Sequence, residues 1–153
     1  MGLADAGDEK WAAGMFEGEG TVTLSSNRTK AYTRLRVSLT NTDAEIVEFY
    51  VGRWGGKVRR FEPGGRAKTA FTWMLNSRQA ARFLEIIQPH LRTTKTKEKV
   101  ALALLSQSLR RRGARDPGYR AMQLGFKERM HELNRRGISG KMPKALPMFA
   151  GDS

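Results

Sequence analysis

Apolar and polar residues alternate with period two in four stretches of this chain, and apolar residues recur at helical spacing between them. In the first stretch, about 21–28, Val22 and Leu24 point one way, and Thr21, Thr23, Ser25 and Asn27 the other. A polar turn, Asn27-Arg28-Thr29-Lys30, leads to a second strand over about 32–40, where Leu35, Val37 and Leu39 oppose Arg34, Arg36, Ser38 and Thr40. The third strand, 57–61, puts Lys57, Arg59 and Phe61 on one face. Glu62-Pro63-Gly64-Gly65 turns it into a return strand over 66–75, with Phe71, Trp73 and Leu75 inward and Arg66, Lys68, Ala70, Thr72 and Met74 outward.

The spacing also predicts five helices. The first, capped by Asp8 with Glu9 in its first turn, runs into the first strand. Asn41 or Thr42 caps the second, 43–53, which buries Ile46, Val47, Phe49, Tyr50 and Trp54 and stops at Gly55-Gly56. Ser77 caps the third, 79–88, built on Ala80, Phe83, Leu84 and Ile87 and stopped by Pro89. After a basic link, a fourth over 97–112 uses Val100, Leu102, Leu104 and Leu105. Residues 8–112 read as one domain, followed by a basic segment, 113–153, holding a helix over 119–136 (Met122, Phe126, Met130, Leu133) and an extended tail.

Helix, two strands, helix, two strands, then helices predicts an α+β fold with one four-stranded antiparallel sheet and helices on one face. The other face stays open, and charge says what it meets. The chain carries 28 Lys and Arg against 15 Asp and Glu, a formal net charge of +13, which calls for a polyanionic partner. Arg34, Arg36, Lys57, Arg59, Arg66 and Lys68 are all positive, whereas the acids fall on helices and in turns. A two-stranded ribbon of this kind fits the major groove of DNA. With no cysteine, disulfides and thiolate metal sites are excluded. No apolar run approaches the roughly 20 residues that cross a bilayer, so a soluble, intracellular protein with no membrane partner is expected. His90 and His131 are isolated and read as structural.

The candidate chemistry sits in Trp11-Ala12-Ala13-Gly14-Met15-Phe16-Glu17-Gly18-Glu19-Gly20. Gly14 and Gly18 share a helical face, although each glycine costs about 1 kcal/mol in a helix interior. Such a pair suits the close approach of another backbone. Glu17 and Glu19 lie at the helix C-terminus, where the macrodipole disfavours negative charge and a divalent cation would offset it. Ala12 to Gly20 resemble, without a gap, the signature of the LAGLIDADG homing endonucleases. The departures are Ala12 in place of a leucine and Glu at both acidic positions.

The resemblance covers about 8–112 and implies the αββαββα fold, its sheet a saddle on double-stranded DNA. One copy of the signature implies a homodimer, its helices crossing at Ala13, Gly14, Glu17 and Gly18, with Glu17 structural. The second acid, Glu19, would be the metal ligand together with the Gly18 carbonyl, for Mg²⁺ with Mn²⁺ as a substitute. Asn41, equally readable as a plain helix cap, would orient the attacking water. Lys95, or alternatively Lys97, would stand near the scissile phosphate. An arginine that some members carry early in the second helix is missing, its place held by Glu45 or a neighbour. The strands' polar face would contact DNA through Thr21, Thr23, Ser25, Asn27, Arg28, Arg34, Arg36, Ser38, Thr40, Lys57, Arg59, Phe61, Arg66, Lys68 and Thr72. The activity implied is site-specific hydrolysis of both strands across the minor groove of a long pseudo-palindromic site. It would leave 3′ overhangs, and the enzyme would be encoded in an intron or another mobile element. The competing class is a binder on the same fold, either an RNA maturase assisting splicing or a catalytically inactive DNA-binding regulator.

Overall fold

The computed structural model describes residues 6–26, 33–111 and 116–135. Along the chain these form α1 (Ala6–Glu19), β1 (Gly20–Ser26), β2 (Thr33–Asn41), α2 (Ala44–Trp54), β3 (Lys57–Phe61) and β4 (Ala70–Asn76). There follow α3 (Ser77–Ile87), a 3-10 turn (Gln88–His90), α4 (Thr94–Ser108) and α5 (Pro117–Asn134). The strands pair as a single antiparallel sheet in the order β1-β2-β4-β3, as the α+β reading requires.

The period-two pattern decides which side of the sheet is covered. Val22, Leu24, Leu35, Val37, Leu39, Trp73 and Leu75 are buried under the helices. At the centre Trp73 meets Tyr50 and Phe83, with ring centroids 4.7 and 5.1 Å apart. Both polar tips in this aromatic cluster find acceptors, as buried Trp and Tyr require. Trp73 Nε1 donates to the Gly55 carbonyl at 2.7 Å, and the Tyr50 hydroxyl to the Ala12 carbonyl at 2.6 Å. Burial also pushes the Tyr50 phenol well above its ordinary value, so it stays a donor.

An open strand edge leaves backbone groups unpaired, and α5 covers the free edge of β1. Asn134 Nδ2 donates to the Val22 carbonyl at 2.7 Å, and Lys127 Nζ to Ser26 Oγ at 2.9 Å. Met130 of α5 belongs to the common core. Thr33, Ser106 and Gln123 are buried where β2, α4 and α5 meet, and satisfy one another: both hydroxyls reach Gln123 Oε1, at 2.7 and 2.9 Å. Helix α5 therefore shares its packing with the rest, and the expected extended tail lies outside the described residues.

Several expected details shift. Ala6 and Gly7 already belong to the first helix, so Asp8 is no cap; its carboxylate accepts from Arg53 at 2.7 Å. Asp43, not Asn41 or Thr42, caps α2, accepting from the Glu45 N–H at 3.0 Å. Asn76, not Ser77, stands at the start of α3; Ser77 has φ +51°, which lets β4 turn into the helix without a loop. In α4 the buried face is Val100, Ala103 and Ser106, and Leu105 is 47% exposed. Apolar residues recur on two sides of that helix, so spacing alone could not choose the inner one.

Candidate nucleic-acid interface and carboxylate site

Cross-strand register assembles the outward face in rows. Thr21 stands beside Ser38, then Met74, then Lys57; Thr23 beside Arg36 and Asn76; Ser25 beside Arg34. At the other end Thr40, Thr72 and Arg59 form a row, and Phe61 stands opposite Ala70. The four strands contain no acidic residue. Arg34, Arg36, Lys57 and Arg59 thus share one face, and no carboxylate among the described residues pairs with them. Thr40 and Thr72 hydroxyls bond to each other at 2.7 Å, and Phe61 is 60% exposed.

Two members of the expected set are displaced. Arg66 and Lys68 lie in the connection 62–69, outside β4, because the β3–β4 pairing ends at Phe61 and Ala70. Pro63 has no N–H to donate, and Gly64 and Gly65 adopt positive φ, so the ladder cannot continue through them. Arg60 turns to the opposite face and pairs with Glu62 at 2.9 Å. Asn27 and Arg28 lie outside the described residues.

At the end of α1 the two acids separate. Glu17 Oε2 accepts from the Arg92 and Thr93 backbone N–H groups, both at 2.7 Å, and from the Thr93 hydroxyl at 3.0 Å. Burial pushes the Glu17 carboxyl upward. The Thr93 and Arg92 N–H groups, the Thr93 hydroxyl and nearby Lys97 outweigh it and hold the carboxyl below its ordinary value. Its charge is offset by the start of α4, with no ion needed. Lys95 and Lys97 stand in the first two turns of that helix, which begins at Thr94 rather than 97. Glu19 is exposed and makes no hydrogen bond or ion pair among the described residues. Asn41 closes β2, and its Oδ1 accepts from the Asp43 N–H at 2.8 Å.

The helix has equally distinct sides. Ala12, Ala13 and Phe16 are sealed in the protomer's own core, so Ala13 has no surface to offer an interface. Gly14 and Gly18 are exposed, and a Cβ on either meets nothing within 4 Å. Gly20 differs: a Cβ there would run into the Phe16 ring.

Among the described residues no three His, Asp or Glu side chains gather. Among the described residues at the end of α1, a divalent ion would find one uncommitted carboxylate, Glu19, beside the carbonyls of the last helical turn, which lack intrahelical donors. These are hard oxygen donors suited to Mg²⁺, which keeps waters and takes phosphate oxygens for the rest of its shell. Among the described residues no helix is long and apolar enough to cross a membrane.

No family model and no curated protein matches the sequence. Solved structures do match in shape. The homing endonuclease I-CvuI in complex with its target superposes with a TM-score of 0.68 at 15% identity, over 84% of this chain and 82% of that one. The homing endonuclease I-TnaI gives 0.61 at 18% identity, over 87% and 97%. The I-LtrWI LAGLIDADG homing endonuclease bound to target DNA gives 0.59 at 16%, over 91% of this chain and 47% of that longer one. This chain has the LAGLIDADG homing endonuclease fold. Within that fold, α1 carries the run from Ala12 to Gly20, and β1–β4 form the sheet whose open face is basic.

The sequence pattern had not indicated three contacts. The Glu17 clasp on α4, the hydrogen bond from Arg36 to Asn76 and the cover of β1 by α5 each join residues 40 or more positions apart.

Proposed function

We propose that this chain is a site-specific double-strand DNA endonuclease that acts as a twofold dimer and uses a divalent ion, Mg²⁺ with Mn²⁺ as a substitute. The observation that carries the reading is the contrast at the end of α1. Glu17 is bonded into its own protomer, while Glu19, two residues on, is left open at the edge of an acid-free, basic sheet face. The neighbouring folds add support: I-CvuI is known in complex with DNA targets in the presence of calcium and of magnesium.

In this reading Glu19 and the Gly18 carbonyl hold the ion. Bound there, it would make a water nucleophilic and stabilise the leaving 3′-oxygen. The chain's own residues do the rest. Lys95, at the start of α4, presents its ammonium to the scissile phosphate, with Lys97 as the alternative for that role. Asn41 has committed its oxygen to Asp43 and keeps its amide NH₂ to hold the attacking water. Thr21, Thr23, Ser25, Arg34, Arg36, Ser38, Thr40, Lys57, Arg59, Phe61 and Thr72 lie along the groove, with Arg66 and Lys68 on the connection beyond β3.

Dimerisation follows from α1. None of the described residues occupies the space a side chain at 14 or 18 would fill. Two helix-weakening glycines, each unfavourable by about 1 kcal/mol, are explained if a second α1 backbone crosses there in an isologous contact. Twofold symmetry sets two Glu19 carboxylates side by side, one for each strand. Cutting then spans the minor groove of a pseudo-palindromic site and leaves 3′ overhangs.

The test is cleavage of a plasmid library in Mg²⁺ by the wild-type chain and by Glu19→Gln. The variant is expected to bind the selected DNA while cutting falls to background. Cutting that persists in Glu19→Gln would sink the assignment. Binding without cutting by the wild-type chain would leave the inactive regulator.

A further inference from the structure

Among the four cations on the outward face, Arg36 alone is held by a neighbour among the described residues. Its Nε donates to Asn76 Oδ1 at 3.0 Å, and the two residues stand opposite each other in the β2–β4 register. This bond uses the inner nitrogen of the guanidinium. The two terminal nitrogens, a planar fork of N–H donors, have no partner among the described residues. In the major groove guanine offers O6 and N7, two acceptors matched to such a fork. A phosphate also accepts a fork, but two features favour the base. Arg36 sits on an interior strand, flanked by β1 and β4, rather than on the rim of the sheet. Pinning at Nε also removes rotamer freedom and sets a direction, which a base edge demands and a mobile phosphate contact does not. Asn76 is free for this task because it makes no side-chain capping bond to α3.

We infer that Arg36 reads a guanine in each half of the DNA site and that Asn76 is the positioning residue that aims it. The inference rests on the DNA reading proposed above. It is tested by binding selection with the full-length chain on a duplex pool randomised across the half-site, in calcium, followed by affinity measurements on the selected duplex and its single-base variants. Wild type is expected to enrich guanine at one position in each half. Arg36→Ala should lose that preference, by about tenfold or more, with other positions unchanged. Asn76→Ala should weaken the preference at that position alone, and Asn76→Asp, which keeps an oxygen acceptor for Nε, should retain it. Uniform weakening by Arg36→Ala for all bases at every position would make Arg36 a phosphate contact and overturn the inference. So would a preference that Asn76→Ala leaves intact. A wild-type chain that enriches no duplex defeats the DNA reading as well, whereas a selected guanine that survives Arg36→Ala defeats the inference alone.

Discussion

On its inner side α1 presents Ala12, Ala13 and Phe16, all sealed against the sheet and α3; on its outer side Trp11, Gly14 and Gly18 are exposed. The same division runs through its acids, with Glu17 bonded to α4 and Glu19 open. Small residues occur on both sides for opposite reasons. Ala13 is small because its own protomer leaves no more room. Gly14 is small although its protomer leaves ample room. One helix thus folds with one side and leaves the other open for the proposed dimer contact, and smallness alone does not say which.

Substitutions at adjacent positions sharpen this contrast. Ala13→Leu should destabilise the protomer by about 3 kcal/mol, the upper range for an overpacked core, as read from denaturant unfolding. Gly14→Ala should raise protomer stability by about 1 kcal/mol through helix propensity while weakening self-association in sedimentation. A Gly14→Ala chain that associates as tightly as wild type would remove the helix crossing from the account.

The two acids can be separated by stability instead of activity. Glu17→Ala should cost about 1.5–3 kcal/mol, the range for hydrogen bonds to a charged group, and Glu19→Gln close to nothing. The pH dependence has a definite sign. The folded carboxyl of Glu17 lies below its ordinary value of 4.5, so its contribution is complete above that value and fades as pH falls through the lower folded value. The gap between wild type and Glu17→Ala in urea should therefore close in acid; a gap that widens there would contradict the clasp. The smallest effect concerns α4, where Leu105→Lys should stay within about 0.5 kcal/mol of wild type, because that side chain lies outside the core.

The sequence revealed much of the fold because strand alternation is a local property. Val22, Leu24, Leu35, Val37, Leu39, Trp73 and Leu75 all face inward as their spacing required. It served less well where two local explanations competed. Leu105 fits the apolar pattern of α4 yet lies on the outer side, and Arg66 and Lys68 fit an alternation that Pro63, Gly64 and Gly65 interrupt. For the site, the run that resembles the signature located Glu17 and Glu19 and gave them different expected roles, but it did not reveal the α4 partners of Glu17.

What the chain order of residues determined by itself was periodicity and charge: which residues form each strand face, where the helices lie, and that the open face is positive. Those follow from neighbours a few positions apart and from simple counts. Tertiary structure alone decided what neutralises Glu17, which glycines meet open space and which arginine is held by a neighbour. Glu17 meets Arg92 across 75 residues and Arg36 meets Asn76 across 40. Contacts at such separations exist only once the strand order and helix packing have brought distant segments together.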